Sequence, residues 1–277
     1  MKILWISEIV SKAGMYALKT ALPQLRKELE PDLVVANADG ATNGYGLGKN
    51  HSMYLRKLGV DVVTLGDQAY FKKDMVQHIN GARFILRPAN LPPESPGRGW
   101  IIKSVGDEGS GSTGGQKVAI ISFLGQSGFS RMHGNNPFTY LPVLVDKIKS
   151  ETPMICVEFH ATTTAEKNTM FWHADGMVSA VIGTGTRVQT ADERVLPRGA
   201  AVITDIGRTG SHTSVAGFKP EPEIRQFTHG LHLKSEDAWG DVKLQGVFLQ
   251  LAPDGRAESI RRISVDVPAQ QPEKAAE

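Results

Sequence analysis

A layered α/β protein is what this sequence predicts, on three observations. Four apolar runs, KILWIS, DLVVANA, VDVVTLG and PMICVEF, read as buried strands. Through the first half of the chain such runs alternate with helical stretches, the pattern of a doubly wound or layered sheet. Each run is followed almost at once by a polar residue: Glu8, Asp39, Asp67 and His160 in turn. Strands of an open α/β sheet present their carboxyl ends to a common crevice, so these four side chains are expected to meet there.

The elements follow in order. Met1 leads directly into the strand KILWI. Met15 to Glu30 reads as a helix, with Ala17, Leu18, Ala21, Leu22, Leu25 and Leu29 as its apolar residues. Pro23 is expected to kink it or to start a second segment. Further helices are predicted over Ser52 to Leu58, Lys72 to Ile79 and Pro137 to Ser150, the last opened by the capping candidates Asn135 and Asn136. Another begins near Thr163, where TTAEK offers capping chemistry. Between Val105 and Lys117, GDEGSGSTGGQ lacks apolar residues and reads as a long, mobile hairpin loop. VSAVIGTG and AAVITDIG are two more strand runs. Beyond Trp239 the chain becomes a meander: GDVKLQGVFLQLA, a turn at Pro253 to Gly255, then SIRRISVDV. With no break in composition, residues 1–267 are expected to form one domain and 268–277 a disordered tail.

Charge and cysteine content narrow the function. The 277 residues include 31 basic and 29 acidic ones, with no dense Lys/Arg stripe, so neither nucleic acid nor anionic membrane is expected as a partner. The lone Cys156 lies inside an apolar run, which reads as a core thiol and excludes a disulfide framework. No segment has the pattern of a secretory signal or the length of a membrane span, and a soluble cytoplasmic protein is expected.

Three carboxylates and an imidazole at one crevice make a hard-metal or phosphate-chemistry site the first hypothesis. Taken singly, each residue has an ordinary alternative. Glu8 reads equally as a loop-stabilising group, Asp39 as a turn residue in ANADGATNG and Asp67 as a helix cap. His160, between a buried strand and a polar loop, reads as a metal ligand or as a hydrogen-bonded structural histidine. The residues alone therefore lead to a ligand crevice and no further. His51, His78, His173, His229 and His232 are assigned surface or structural duty. His133 and His212 lie in loops that could bring an imidazole to the crevice, and Arg131 in SGFSRMHGNNPF is a phosphate contact or a solvated side chain.

Several long stretches carry more information: KILWISEIVSKAG, LVVANADGATNG, GVDVVTLGDQAYFKKD, RPANLPPESPGRGW, NNPF, VEFHATTTAEK, GTGTRVQTADERVLPRG and AVITDIGRTG. Through them the chain resembles the YmdB-like branch of the calcineurin-type metallophosphoesterases over nearly its whole length. The resemblance implies a four-layer αββα sandwich of two mixed β-sheets. In active relatives it implies a two-metal centre that hydrolyses phosphodiesters, cyclic nucleotides included, and assembly into homo-oligomers.

Set against that pattern, the site is altered. Where the family ends its first strand in aspartate, this chain has Glu8, and where the second carries Glu-Asn it has Asp39 and Gly40. The family's Gly-Asn-His, whose histidine is the general acid, is here Gly66, Asp67 and Gln68. His160 matches the next ligand, but Gly-Thr-His-Thr-His has become Gly183, Thr184, Gly185, Thr186 and Arg187. Arginine stays protonated and cannot be a ligand, so Arg187 is expected to sit at the first metal position, paired with Glu8 and Asp39. Asp39, Asp67 and His160 are left to hold one divalent ion, manganese or iron, if any metal is bound. Gln68 has no titratable proton, and losing a positioned acid costs roughly 10²–10⁴-fold in rate.

The leading expectation is therefore a catalytically impaired or inactive relative that binds a phosphorylated small molecule or a protein partner. The alternative is an active phosphodiesterase working with the single retained metal. A purely structural oligomer is the third reading.

Overall fold

The chain begins with β1 (Lys2–Ile6), β2 (Glu8–Ile9), α1 (Ser11–Leu29), β3 (Leu33–Asn37), α2 (Lys49–Lys57), β4 (Val62–Thr64), α3 (Lys73–His78) and β5 (Ile85–Leu86). It continues through β6 (Trp100–Val105), β7 (Gln116–Leu124), α4 (Pro137–Ile148), β8 (Ile155–His160), α5 (Thr164–Ala174), β9 (Ala180–Thr184), β10 (Arg194–Val195) and β11 (Ala201–Ile203). β12 (Arg208–Thr213), α6 (Pro220–His229), β13 (Gly240–Leu251) and β14 (Ala257–Asp266) complete it. This computed structural model describes residues 1–106, 115–129, 132 and 134–268. The Gly/Ser-rich stretch from 107 to 114, Arg131, His133 and the tail from 269 onward lie outside the described residues.

The strands form two mixed sheets. One has the order β2-β12-β13-β1-β3-β4-β5 with β14 added to β13, and the other β10-β11-β9-β8-β7-β6. β1, β3, β4 and β5 are parallel neighbours, as are β7, β8, β9 and β11, so the carboxyl ends within each group face one way.

The side-chain alternation of β1 explains the layering. Ile3 and Trp5 point to a core between the two sheets, together with Val35, Ile120, Cys156 and Ile182. Leu4 and Ile6 point the other way, into a core shared with Leu18, Leu22 and Leu55 of the helices α1 and α2. On the far face of the second sheet, Ile121, Val157 and Phe159 pack on Leu141, Leu144 and Phe171 of α4 and α5. Strands buried on both faces are predominantly apolar, which is why these runs carry no regular polar alternation. The result is a four-layer αββα sandwich. Cys156 lies in its middle layer, its thiol pushed up to about 12 by burial.

Several boundaries differ from expectation for local reasons. α1 starts at Ser11 instead of Met15 and runs as one element through Pro23. α4 is capped by Asn136, whose side chain accepts from the Phe138 amide, and α5 by Thr163, which accepts from Glu166. β6 and β7 pair antiparallel, Val105 opposite Gln116, as the flanks of the expected hairpin. α6 is an addition to the expected elements, and none of its residues is buried. Pro268, placed in the expected tail, accepts a hydrogen bond from the Tyr16 hydroxyl.

Candidate metal centre

Asp39 stands two residues past β3 and Asp67 three past β4, while His160 is the last residue of β8. Parallel neighbours within each sheet, and the stacking of the two sheets, bring these three ends together. One ligand atom from each lies within 4.8 Å of the others. His160 Nε2 is 3.1 Å from Asp67 Oδ1 and 3.9 Å from Asp39 Oδ2. The imidazole packs so closely on Gly66 that a Cβ there would lie 2.4 Å from its ring, and Phe129 stacks on it at 5.7 Å. Gln68 donates its backbone N–H to Asp39 Oδ2 at 3.1 Å, and its side-chain oxygen accepts from the Gly46 amide at 2.9 Å.

The electrostatics are those of a site short of positive charge. Burial pushes the Asp39 carboxyl up to about 7, opposed by His160 and assisted by the charges of Asp67 and Glu8. Burial would depress His160, but its hydrogen bond to Asp67 and the charges of Asp39, Asp67 and Glu8 hold it up at about 9. Asp67 is shifted down, because the bond and charge of His160 outweigh its own burial. Among the described residues, Asp39 Oδ1 is fully buried and finds no hydrogen-bond donor. An orphaned carboxylate oxygen is costly in a protein interior. Two carboxylates and an imidazole fit one divalent transition-metal ion, and that ion would satisfy the orphan.

Glu8 lies apart from this trio, and its neighbour is a guanidinium. Arg187 Nη2 and Nε approach Glu8 Oε1 at 2.6 and 2.9 Å, with further bonds to the Gly44 and Ala216 carbonyls. No bond joins Arg187 to Asp39 among the described residues, so the expected pairing holds for one carboxylate and not for both. Gly40 makes room for the pair: a Cβ there would lie 2.9 Å from both Arg187 Nη2 and Glu8 Oε1. Arg187 itself has φ 59, a conformation non-glycine residues adopt only when held. Asp205 holds it through the Thr186 amide and hydroxyl at 2.9 and 2.8 Å, and is anchored in turn by the fully buried Lys167 at 2.8 Å. Arg208 Nη1 donates to the Arg187 carbonyl at 2.6 Å. Gly185 also has positive φ, +106, and a Cβ there would lie 2.8 Å from the Ala161 carbonyl. This half of the centre does not fit a second metal.

A cavity of about 700 Å³ is lined by Asp67, one member of the trio. Gln68 joins Asp67 in the lining, Tyr45, Phe71 and Phe129 supply aromatic wall, and the segment from His232 to Ser235 contributes a further stretch. Tyr45 is tied to that segment through the Ser235 hydroxyl at 2.8 Å. His232 therefore faces the cavity, a role for which its neighbours in the chain carry no signal. His212 does not join the trio; its Nε2 lies 3.4 Å from the Arg208 carbonyl. The motif residues of RPAN and QTADER serve the scaffold. Asn90 bonds the Leu124 and Asn135 backbone, and Asp192 takes the Thr204 amide and hydroxyl. Glu158 is a residue that sequence reasoning misses altogether. Fully buried between the sheets, with its pKa pushed up by that burial, it sits two residues before His160.

A four-layer sandwich with acids and an imidazole gathered at its strand ends has the architecture of the metallophosphoesterases. Within that class, the chain belongs to the YmdB-like protein family, whose match covers residues 4–263. It is 33% identical over 268 residues to the 2',3'-cyclic-nucleotide 2'-phosphodiesterase of Bacillus subtilis strain 168, covering 96% of this chain and 97% of that one. The crystal structure of a hypothetical protein from Thermus thermophilus superposes with a TM-score of 0.87 at 30% identity, over 97% of this chain and 100% of the other. That of a novel phosphatase from Mycoplasma pneumoniae does so with a TM-score of 0.87 at 31% identity, over 96% and 93%. Among the described residues, no helix is long and apolar enough to cross a membrane.

Proposed function

We propose that this protein is a metal-dependent phosphodiesterase that works with one divalent ion and takes a 2',3'-cyclic nucleotide or a related phosphodiester. The observation that carries the reading is the trio Asp39, Asp67 and His160, its ligand atoms within 4.8 Å and one carboxylate oxygen unsatisfied, with Asp67 also lining a ligand-sized cavity. The name of the Bacillus relative supports the choice of substrate. Asp39, Asp67 and His160 hold the ion. When bound, it supplies positive charge for a phosphoryl oxygen and acidifies water. The Arg187 guanidinium occupies the neighbouring position as a fixed cation, neutralised by Glu8. Glu8 is thereby spent as an acid, and Gln68 has no titratable proton, so the leaving alkoxide takes its proton from solvent.

Gln68 also favours a second reading, in which the crevice binds a phosphorylated small molecule or partner and turns it over poorly. Metal content and turnover separate the two. Tag-free protein grown with manganese and iron should retain about one ion per chain by elemental mass spectrometry. It should also hydrolyse 2',3'-cyclic nucleotides, with both properties lost in Asp39→Asn. Retention of the ion without turnover selects the second reading, and protein that holds no metal rules out the proposed chemistry.

A further inference from the structure

Glu158 is reached from both sheets at once. From the first sheet, Trp5 Nε1 and Thr64 Oγ1 donate to its Oε2 at 2.9 and 2.6 Å, and Asn37 Nδ2 donates to Oε1 at 2.6 Å. From the second, the Thr184 hydroxyl donates to Oε1 at 3.3 Å. All five side chains are fully buried, and two of these contacts lead on to the metal trio. Asn37 Oδ1 accepts the Asp39 backbone N–H at 3.0 Å, and Thr184 Oγ1 lies 3.0 Å from His160 Nδ1.

We infer that Glu158, acting through Asn37 and Thr184, is the positioning residue that aligns the metal-holding side chains contributed by the two sheets. The argument is one of donor and acceptor accounting. A hydroxyl has one proton, and that of Thr184 is given to Glu158, so Thr184 must accept from His160. Nδ1 therefore keeps its hydrogen, and Nε2, which donates to Asp67 in the metal-free protein, is the nitrogen whose proton a metal would displace. On the other side, Asn37 has its amide group spent on Glu158, so its oxygen is turned to the Asp39 backbone. One carboxylate thus fixes the Nδ1–H of His160 and the entry of the Asp39 turn.

The inference rests on the proposed metal centre, and two readouts keep the failures apart. In metal-free protein labelled with ¹⁵N-histidine, wild type should show a slowly exchanging His160 Nδ1–H resonance. Thr184→Val should lose that resonance, and Thr184→Ser should keep it. Calorimetric manganese affinity should fall roughly 10- to 100-fold in Thr184→Val, the usual cost of removing an outer-shell partner, and at least as far in Glu158→Gln. Ser179→Ala is the structural control. Ser179 accepts from the Ile155 amide at 3.0 Å, at the opposite end of the same strand pair, so its loss should lower thermal stability and leave both readouts unchanged. Retention of resonance and affinity in Thr184→Val, or an equal loss of affinity in Ser179→Ala, would overturn the inference. Should wild type bind no manganese, the metal reading fails while the resonance still decides for or against the alignment through Thr184.

Discussion

Arg187 Nη2 lies 2.6 Å from Glu8 Oε1, and both side chains are nearly sealed from solvent, at 12% and 2% exposure. Gly40 leaves the space for this pair, and Asp205 and Arg208 hold Arg187 in its left-handed conformation. Gly40, Asp205 and Arg208 thus all support a buried arginine–glutamate pair beside the trio.

Removing that cation should be costly. Arg187→Ala leaves Glu8 buried without its partner, and the expected loss is about 3 kcal/mol of unfolding free energy, measured by denaturant titration. Glu8→Gln in the same chain removes the stranded charge, so the double variant should recover part of the loss. A single variant as stable as wild type would mean the pair contributes nothing to the fold.

Placing a histidine at Gly185 should not create a second metal position. Its φ of +106 and the 2.8 Å approach to the Ala161 carbonyl penalise any side chain. Gly185→His is expected to destabilise by roughly 1–3 kcal/mol while the metal stoichiometry stays unchanged. A second bound ion by elemental analysis would contradict this.

The pH dependence of the metal-free protein follows from His160. Its folded pKa of about 9 stands above the ordinary 6.5, so between these values the folded state binds more proton than the unfolded. That stabilisation is fully present below about 6.5 and is lost as pH rises through 9. Asp39, raised to about 7, likewise loses stabilisation as pH climbs from its ordinary 3.8. The Tm of chelator-treated protein should therefore fall from pH 6.5 to pH 9. Manganese must displace the His160 proton, so its affinity should rise over the same interval. A flat calorimetric series would exclude His160 as a ligand.

Substrate discrimination should reside in the cavity wall, apart from the metal trio. Leu233→Trp narrows the cavity that Asp67 also lines and should raise KM for a nucleotide diester by about tenfold, equivalent to ~1.4 kcal/mol of binding. Manganese affinity should not change. An unaltered KM would place the substrate elsewhere.

Much of this arrangement is legible in the linear chain. Runs such as KILWI and LVVAN lack polar alternation because both of their faces are buried, and a strand's direction fixes which end its following residue occupies. Glu8, Asp39, Asp67 and His160 can be nominated on that ground alone. Glu158 cannot, since a glutamate inside ICVEFH gives no sign that Trp5, Asn37, Thr64 and Thr184 will surround it. Those donors come from positions up to 153 residues away. The same holds for the His232–Ser235 wall, since nothing in its local sequence shows that it lines a cavity with Asp67 and Gln68.

The layered α/β architecture, with acids and an imidazole at its strand ends, is written into the linear chain, because burial on both faces of a strand imposes composition locally. How those groups divide is settled by tertiary packing alone. It pairs Glu8 with Arg187, leaves Asp39 with an unsatisfied oxygen beside Asp67 and His160, and places Glu158 beneath them. Charge pairing and hydrogen-bond satisfaction depend on contacts of a few ångströms between residues far apart in the chain, and those contacts exist only once the two sheets have stacked.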